Sequence, residues 1–123
     1  MYQRKTPIDL NCGLDIVREV LYGKWKIHLL YFISQGAARP GELQRKIPRA
    51  TRRVLSSQLN QLQRHGLISK TIYAELPPRV EYKLTDFGQT VLPLLVALGE
   101  WGDVHQERLR RSITGQNLES EDR

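Results

Sequence analysis

One stretch, TRRVLSSQLNQLQRHGLI from Thr51 to Ile68, constrains the fold most, because it marks a helix at both ends and then changes period. Thr51 can accept a backbone N–H as an N-cap, a position that favours Ser and Thr. Val54, Leu55, Leu59 and Leu62 recur at helical spacing and form one apolar stripe. Arg52, Arg53, Ser56, Asn60 and Gln63 fall on the other side. Gly66 can adopt positive φ and end the helix. A long-reaching, cationic, amide-rich face suits either a solvated surface or contact with phosphates and base edges. The rest of the chain chooses between them.

Upstream, a helix is expected from about Asn11–Cys12, with Leu14, Val17, Val20 and Leu21 as its stripe and Gly23 as its end. A second runs from Lys24 to Ile33 and is apolar almost all round, which predicts a central place in the core. His28 on it is expected to be a satisfied core residue, and Trp25 and Trp101 to be core and interface residues. Pro40 suits the first turn of a third helix, Leu43 and Ile47 are its buried pair, and Pro48 stops it. Three residues later Thr51 opens the fourth, so the third and fourth form a helix-turn-helix.

Beyond Gly66 the residues become β-branched through Tyr73, and Arg79 to Leu84 alternates, with Val80, Tyr82 and Leu84 on one face. These are two strands of a ribbon whose tip is stiffened by Pro77 and Pro78. Thr85 is the next N-cap, and one long helix is expected from Phe87 to about Leu109, kinked at Pro93. Its Val91, Leu95, Leu98, Trp101 and His105 share a side, and Leu92, Leu94 and Val96 make it apolar on more than one face. So small a domain cannot bury all of that alone, and the simplest cover is a second copy across a two-fold axis. The expected class is therefore mainly α with a small β-ribbon. The architecture is a winged helix-turn-helix domain over residues 1–111 with a long C-terminal dimerisation helix, then a disordered tail over 112–123.

Charge is uneven along the chain. Between Arg39 and His65 there are seven Lys/Arg against one acid, Glu42, in a chain of net charge +6. A basic middle on a small domain points to a polyanion. The single cysteine, Cys12, excludes an internal disulfide and a cysteine-built zinc site, which suits a cytoplasmic protein. No signal peptide or membrane span is expected, and His28, His65 and His105 lack metal-ligand spacing. With no Gly-rich phosphate loop, nucleophile elbow or paired carboxylates, neither enzyme activity nor a cofactor is expected.

The chain resembles the HxlR-type regulators, a branch of the MarR-like winged-helix transcription factors of bacteria. The resemblance covers about Cys12 to Gly102 and rests on Gly23-Lys-Trp25, Glu42-Leu43, Arg53-Val-Leu-Ser-Ser-Gln-Leu59 with Leu62, Gly66-Leu-Ile68, Pro78-Arg-Val-Glu-Tyr82, Leu84-Thr85 and Gly88. Two positions depart from it: Pro40, where many members carry an aromatic residue, and Gly13, where Pro is frequent. The resemblance implies a homodimer on a two-fold operator, with the Thr51 helix as recognition element, the ribbon between Tyr73 and Val80 as wing, and the helix from Asp86 as dimer contact. It also implies that Cys12 can act as a thiol sensor of an oxidant or small-molecule electrophile; the bland alternative is a packed, inert thiol.

The expected contacts to double-stranded DNA are Arg52, Arg53, Ser56 and Asn60, with Ser57 on the helix flank; for Ser57 and its neighbour Gln58 a local backbone partner is the alternative. Arg can grip guanine, and Asn adenine, through paired hydrogen bonds. Lys24, Thr51, Arg39 and Arg79 are phosphate or minor-groove candidates; for Arg39 a salt bridge to Glu42, and for Arg79 pairing with Glu81, stand as alternatives. Lys46 and Arg49 are expected to add unspecific charge. The competing functions are a protein-interaction module assembled through the apolar C-terminal helix, and a winged helix on structured RNA, whose narrow major groove resists helix insertion.

Overall fold

The computed structural model describes residues 7–115. Its elements are α1 (Gly13–Leu21), α2 (Lys26–Ser34), α3 (Pro40–Lys46), α4 (Arg52–Arg64), β1 (Ile68–Tyr73), β2 (Arg79–Leu84), α5 (Asp86–Val104) and α6 (Gln106–Thr114). They fall into two compact units, one ending at Leu92 and the other starting at Pro93.

In the first unit α2 is central and buries Lys26, Leu29, Leu30 and Ile33, a spacing that defines one helical face. His28 lies on the opposite side and is exposed, edge-on to Trp25 with ring centroids 5.2 Å apart, so it is no core residue. Trp25 is buried. Pro40 opens α3, where its missing N–H costs nothing. Glu42 Oε1 accepts the N–H groups of Arg39 (2.9 Å) and Ala38 (3.0 Å). Leu43 and Ile47 are buried as expected. Gln44 Nε2 donates to the Ala50 carbonyl at 2.6 Å and ties down the turn between the two helices.

Thr51 caps α4: its Oγ1 accepts the Val54 N–H at 3.1 Å. Leu55, Leu59 and Leu62 are buried against the core, whereas Val54 at the edge of the stripe is exposed. Gly66 has φ of +78°, and its successor Leu67 donates to the Leu62 carbonyl at 3.0 Å, closing the helix and launching β1. β1 and β2 pair antiparallel, from Ile68 opposite Leu84 to Tyr73 opposite Arg79. On the outer edge of β2 the Tyr82 N–H donates to Ala38 O at 2.8 Å, which joins the ribbon to the α2–α3 connector. Thr85 Oγ1 donates to Gly66 O (2.6 Å) and accepts the Gly88 N–H (2.9 Å), so it caps α5 while holding the α4–β1 turn.

The apolar stripe of α1 has no buried member; Leu14 is 82% and Val17 50% exposed. In the second unit the single long helix expected from the sequence is interrupted at His105 (φ −102°, ψ 19°), with Pro93 inside α5. Hydrogen bonds bracket the break, His105 N–H to Trp101 O and Leu109 N–H to His105 O. The second helix reaches Thr114, so Ser112 to Thr114 are helical rather than part of an unstructured tail. The acidic end from Glu119 lies outside the described residues. No helix among the described residues is long and apolar enough to cross a membrane.

Candidate nucleic-acid interface

With Leu55, Leu59 and Leu62 turned inward, α4 must present its remaining side chains outward. Arg52, Arg53, Ser56, Ser57 and Asn60 are all exposed, as is the cap residue Thr51. No acid occurs anywhere in α4. Ser57 has a local partner, accepting from Gln61 Nε2 at 3.4 Å. The arginines of the first turn are thus unopposed on the helix that carries them. They stand beside amide and hydroxyl groups able to donate to and accept from base edges.

Gln58, on the flank of the same helix, reaches across to α2. Its Oε1 accepts the backbone N–H of Trp25 at 2.8 Å. The sequence suggests only a local backbone partner for this side chain; a contact 33 residues away has no local signal. Around Trp25 two cations gather: Lys24 Nζ lies 5.4 Å and the Arg49 guanidinium 5.9 Å from the ring centroid.

The wing side differs. Arg79 Nη1 donates to Glu81 Oε2 at 2.6 Å, Arg79 Nε lies 3.4 Å from Glu75 Oε1, and its guanidinium stacks 3.9 Å over the Tyr73 ring. Burial works against the Arg79 charge, but the Glu81 hydrogen bond and the two carboxylates outweigh it, and its pKa is raised. Arg39 Nε joins the same Glu81 oxygen at 3.6 Å. Arg39 is therefore paired with Glu81, not with the side chain of Glu42, whose hydrogen-bonded oxygen caps the backbone; those bonds, that of Arg39 first, hold its pKa below the usual carboxylate range. Glu81 thus draws together two arginines named as DNA contacts.

Behind α4 sits a polar cluster that apolar patterning conceals. Lys26 is 1% exposed, its methylenes pack over Gly23, and its Nζ donates to Val20 O at 3.4 Å. Desolvation, then the Arg64 charge, pushes its pKa down, against an opposing pull from Glu19. His65 Nδ1 is buried with no hydrogen-bond partner among the described residues, and desolvation lowers its pKa, helped by Lys26 and Arg64.

Of the candidate dimer contacts, Leu98, Trp101 and His105 are exposed, and the Trp101 and His105 rings are 5.1 Å apart. Val91 is half-buried. Leu95 is 5% exposed and already covered within the chain, so it supports the helix instead of facing outward. Gly102, Leu109 and Ile113 line an open apolar groove along α6. Cys12 occupies the N-cap position of α1, is half-buried and has no disulfide partner. No group of His, Cys, Asp and Glu among the described residues is placed to hold a metal ion.

Comparison with known proteins bears on the same residues. The family model for the HxlR-like helix-turn-helix matches residues 20–110. The HTH-type transcriptional regulator YkvN of Bacillus subtilis is 40% identical over 98 residues, which cover 80% of this chain and 83% of YkvN. BH0655 of Halalkalibacterium halodurans, also an HTH-type transcriptional regulator, is 44% identical over 106 residues, 85% of this chain and 94% of its own. The structure of the redox regulator HypR in its reduced form aligns with a TM-score of 0.77 at 35% identity, over 80% of this chain and 98% of that one.

Proposed function

The chain belongs to the HxlR-like helix-turn-helix family of transcriptional regulators, and from that we propose that it binds a two-fold DNA operator as a homodimer, with α4 as the reading helix. The observation that carries the reading is the division of α4 into a buried leucine face and an exposed, acid-free face of Arg52, Arg53, Ser56 and Asn60. Such a face is attracted to phosphate at long range and can discriminate bases at short range. Thr51 caps the same helix, and Lys24, Arg39 and Arg79 are the further candidates for phosphate or minor-groove contact. The unburied stripe of α1, with Leu98 and Trp101 of α5, supports a second copy as the partner that covers them. Leu95 is left out of that contact. A partner protein docking on the α4 face would call for acidic or apolar side chains there, and α4 offers no acid and, at the edge of its buried stripe, Val54 as its one exposed apolar side chain.

The reading includes a thiol response. HypR is a redox regulator by its description, and Cys12 stands at a helix start with part of its surface open. With a single cysteine the chain would respond through an intersubunit disulfide or an adduct with a small thiol.

Selection of bound duplexes from a random pool, followed by titration of wild type and Arg53→Ala on the best sequence, tests the function. A palindromic consensus with half-sites about one helical turn apart, and weaker, less selective binding by the variant, are expected. Equal affinity of the two proteins for selected and scrambled duplexes would refute α4 as the reading element.

A further inference from the structure

Apart from Arg52 and Arg53 of α4, two sets of cations on this surface differ in how they are balanced. On the wing side Arg39 and Arg79 share Glu81, and Arg79 also meets Glu75, so two positive charges face two negative ones. Around Trp25 the balance is absent. Lys24 and Arg49 both sit on its ring, and among the described residues neither has a carboxylate partner. The ring face attracts each cation but neutralises none. Two cations near one buried aromatic ring, neither balanced by a carboxylate among the described residues, give a local excess of positive charge.

We propose that Lys24, Trp25 and Arg49 form a clamp for a backbone phosphate of the bound DNA, and that this clamp, beside the unopposed Arg52 and Arg53 of α4, adds more to the salt-sensitive part of binding than the wing does. The inference rests on the DNA-binding reading above and deepens it. Every phosphate neutralised by a free cation releases condensed counterions. Lys24 and Arg49 release them on contact. At Arg39 and Arg79 a phosphate only takes the place of Glu75 or Glu81, so the net release is small. The clamp is also registered to the reading helix: Gln58 of α4 accepts the backbone N–H of Trp25, which ties the Trp25 main chain to the helix that carries Arg52 and Arg53. Gln58 is a positioning residue that sets where along the backbone the clamp closes.

Fluorescence anisotropy of the full chain on its selected duplex and on a scrambled duplex, from 50 to 200 mM NaCl, tests this. Lys24→Ala and Arg49→Ala are each expected to weaken both duplexes alike and to lower the log–log salt slope by about 0.9, one phosphate apiece. That equals about a threefold smaller loss of affinity across this salt range. Arg49→Lys should restore the slope. Arg79→Ala should change the slope by less than half as much. Arg18→Ala, which removes an exposed charge on α1, should leave it unchanged. Gln58→Ala should keep the slope and narrow the ratio between the two duplexes. The clamp is overturned if Lys24→Ala and Arg49→Ala keep the wild-type slope, or if Arg79→Ala or Arg18→Ala lowers it as much. If wild type itself binds neither duplex, the DNA-binding reading falls and the clamp with it; unchanged slopes in a wild type that does bind sink the clamp alone.

Discussion

A β-carbon on Gly88 would overlap the carbonyl oxygen of Leu67. The first turn of α5 therefore lies directly on the exit from α4. The same carbonyl accepts the Thr85 N–H at 3.1 Å, and Thr85 Oγ1 bonds both Gly66 and Gly88. Glycine is required here by closeness, not by backbone angle. Gly88→Ala is expected to cost about 2–3 kcal/mol, a large part of the margin of a small domain. Gly99→Ala, with open space around the new methyl, should be neutral or gain up to about 1 kcal/mol from helix propensity. Urea unfolding of the two variants checks the contrast; similar midpoints would refute the packing argument.

Lys26 is held in the core by its stem more than by its charge. Its carbons fill the space over Gly23, while burial disfavours the ammonium. Lys26→Met keeps the volume and removes the charge, and is expected to equal or exceed wild-type stability, by about 1 kcal/mol. Lys26→Ala loses the packing and leaves a void, for a loss of about 2 kcal/mol or more. Thermal melts in which Met destabilises as much as Ala would show instead that the ammonium is needed.

His65 predicts an acid-side loss of stability. Desolvation lowers its pKa from 6.5 in the folded chain, so below that value the unfolded chain binds the extra proton first. Stability from this group is complete above pH 6.5 and declines as pH falls toward the folded value, no faster than about 1.4 kcal/mol per pH unit. Glu42, whose pKa lies below 4.5, acts only in a more acidic window. Urea midpoints between pH 7 and 5 should fall in wild type and flatten in His65→Gln. An unchanged slope in the variant would assign the effect elsewhere.

For Cys12 the measurement is DNA affinity before and after diamide with glutathione. Wild type is expected to change affinity and recover with dithiothreitol, and Cys12→Ser to show no response. A variant that responds as wild type does would leave the thiol a packing residue.

The elements that end in local chemistry were legible from residues alone. Thr51 with Gly66 marked α4, Pro40 marked α3, and the alternation of Val80, Tyr82 and Leu84 marked β2. What escaped depends on which face meets the core. Along α2 nearly every residue is apolar, so periodicity could not show that Lys26 goes inward and His28 outward. Val54 and Leu55 are adjacent, and only packing decides that Leu55 is buried. Nor does anything in the stripe of α1 reveal that its own chain leaves it uncovered. The break at His105 has no proline or glycine at the position to announce it. In the candidate site the exposed α4 face was read from spacing. The pairing of Arg79 with Glu81, two residues along β2, stands among the alternatives the sequence offers, but the approach of Arg39 to the same Glu81 and the reach of Gln58 to Trp25 join positions 42 and 33 residues apart and have no sequence period.

The bond from Tyr82 to Ala38 gives the wing a mechanical consequence. A two-stranded ribbon on its own is a flexible flap, marginal in water. Here one rail of the ribbon is fastened to the segment that leads into α3, through an amide that would otherwise face solvent. The wing is a bracket braced on the α2–α3 connector, not a free flap. Any displacement of that connector is passed to the ribbon at Tyr82, so α3 and the wing are coupled through one backbone bond.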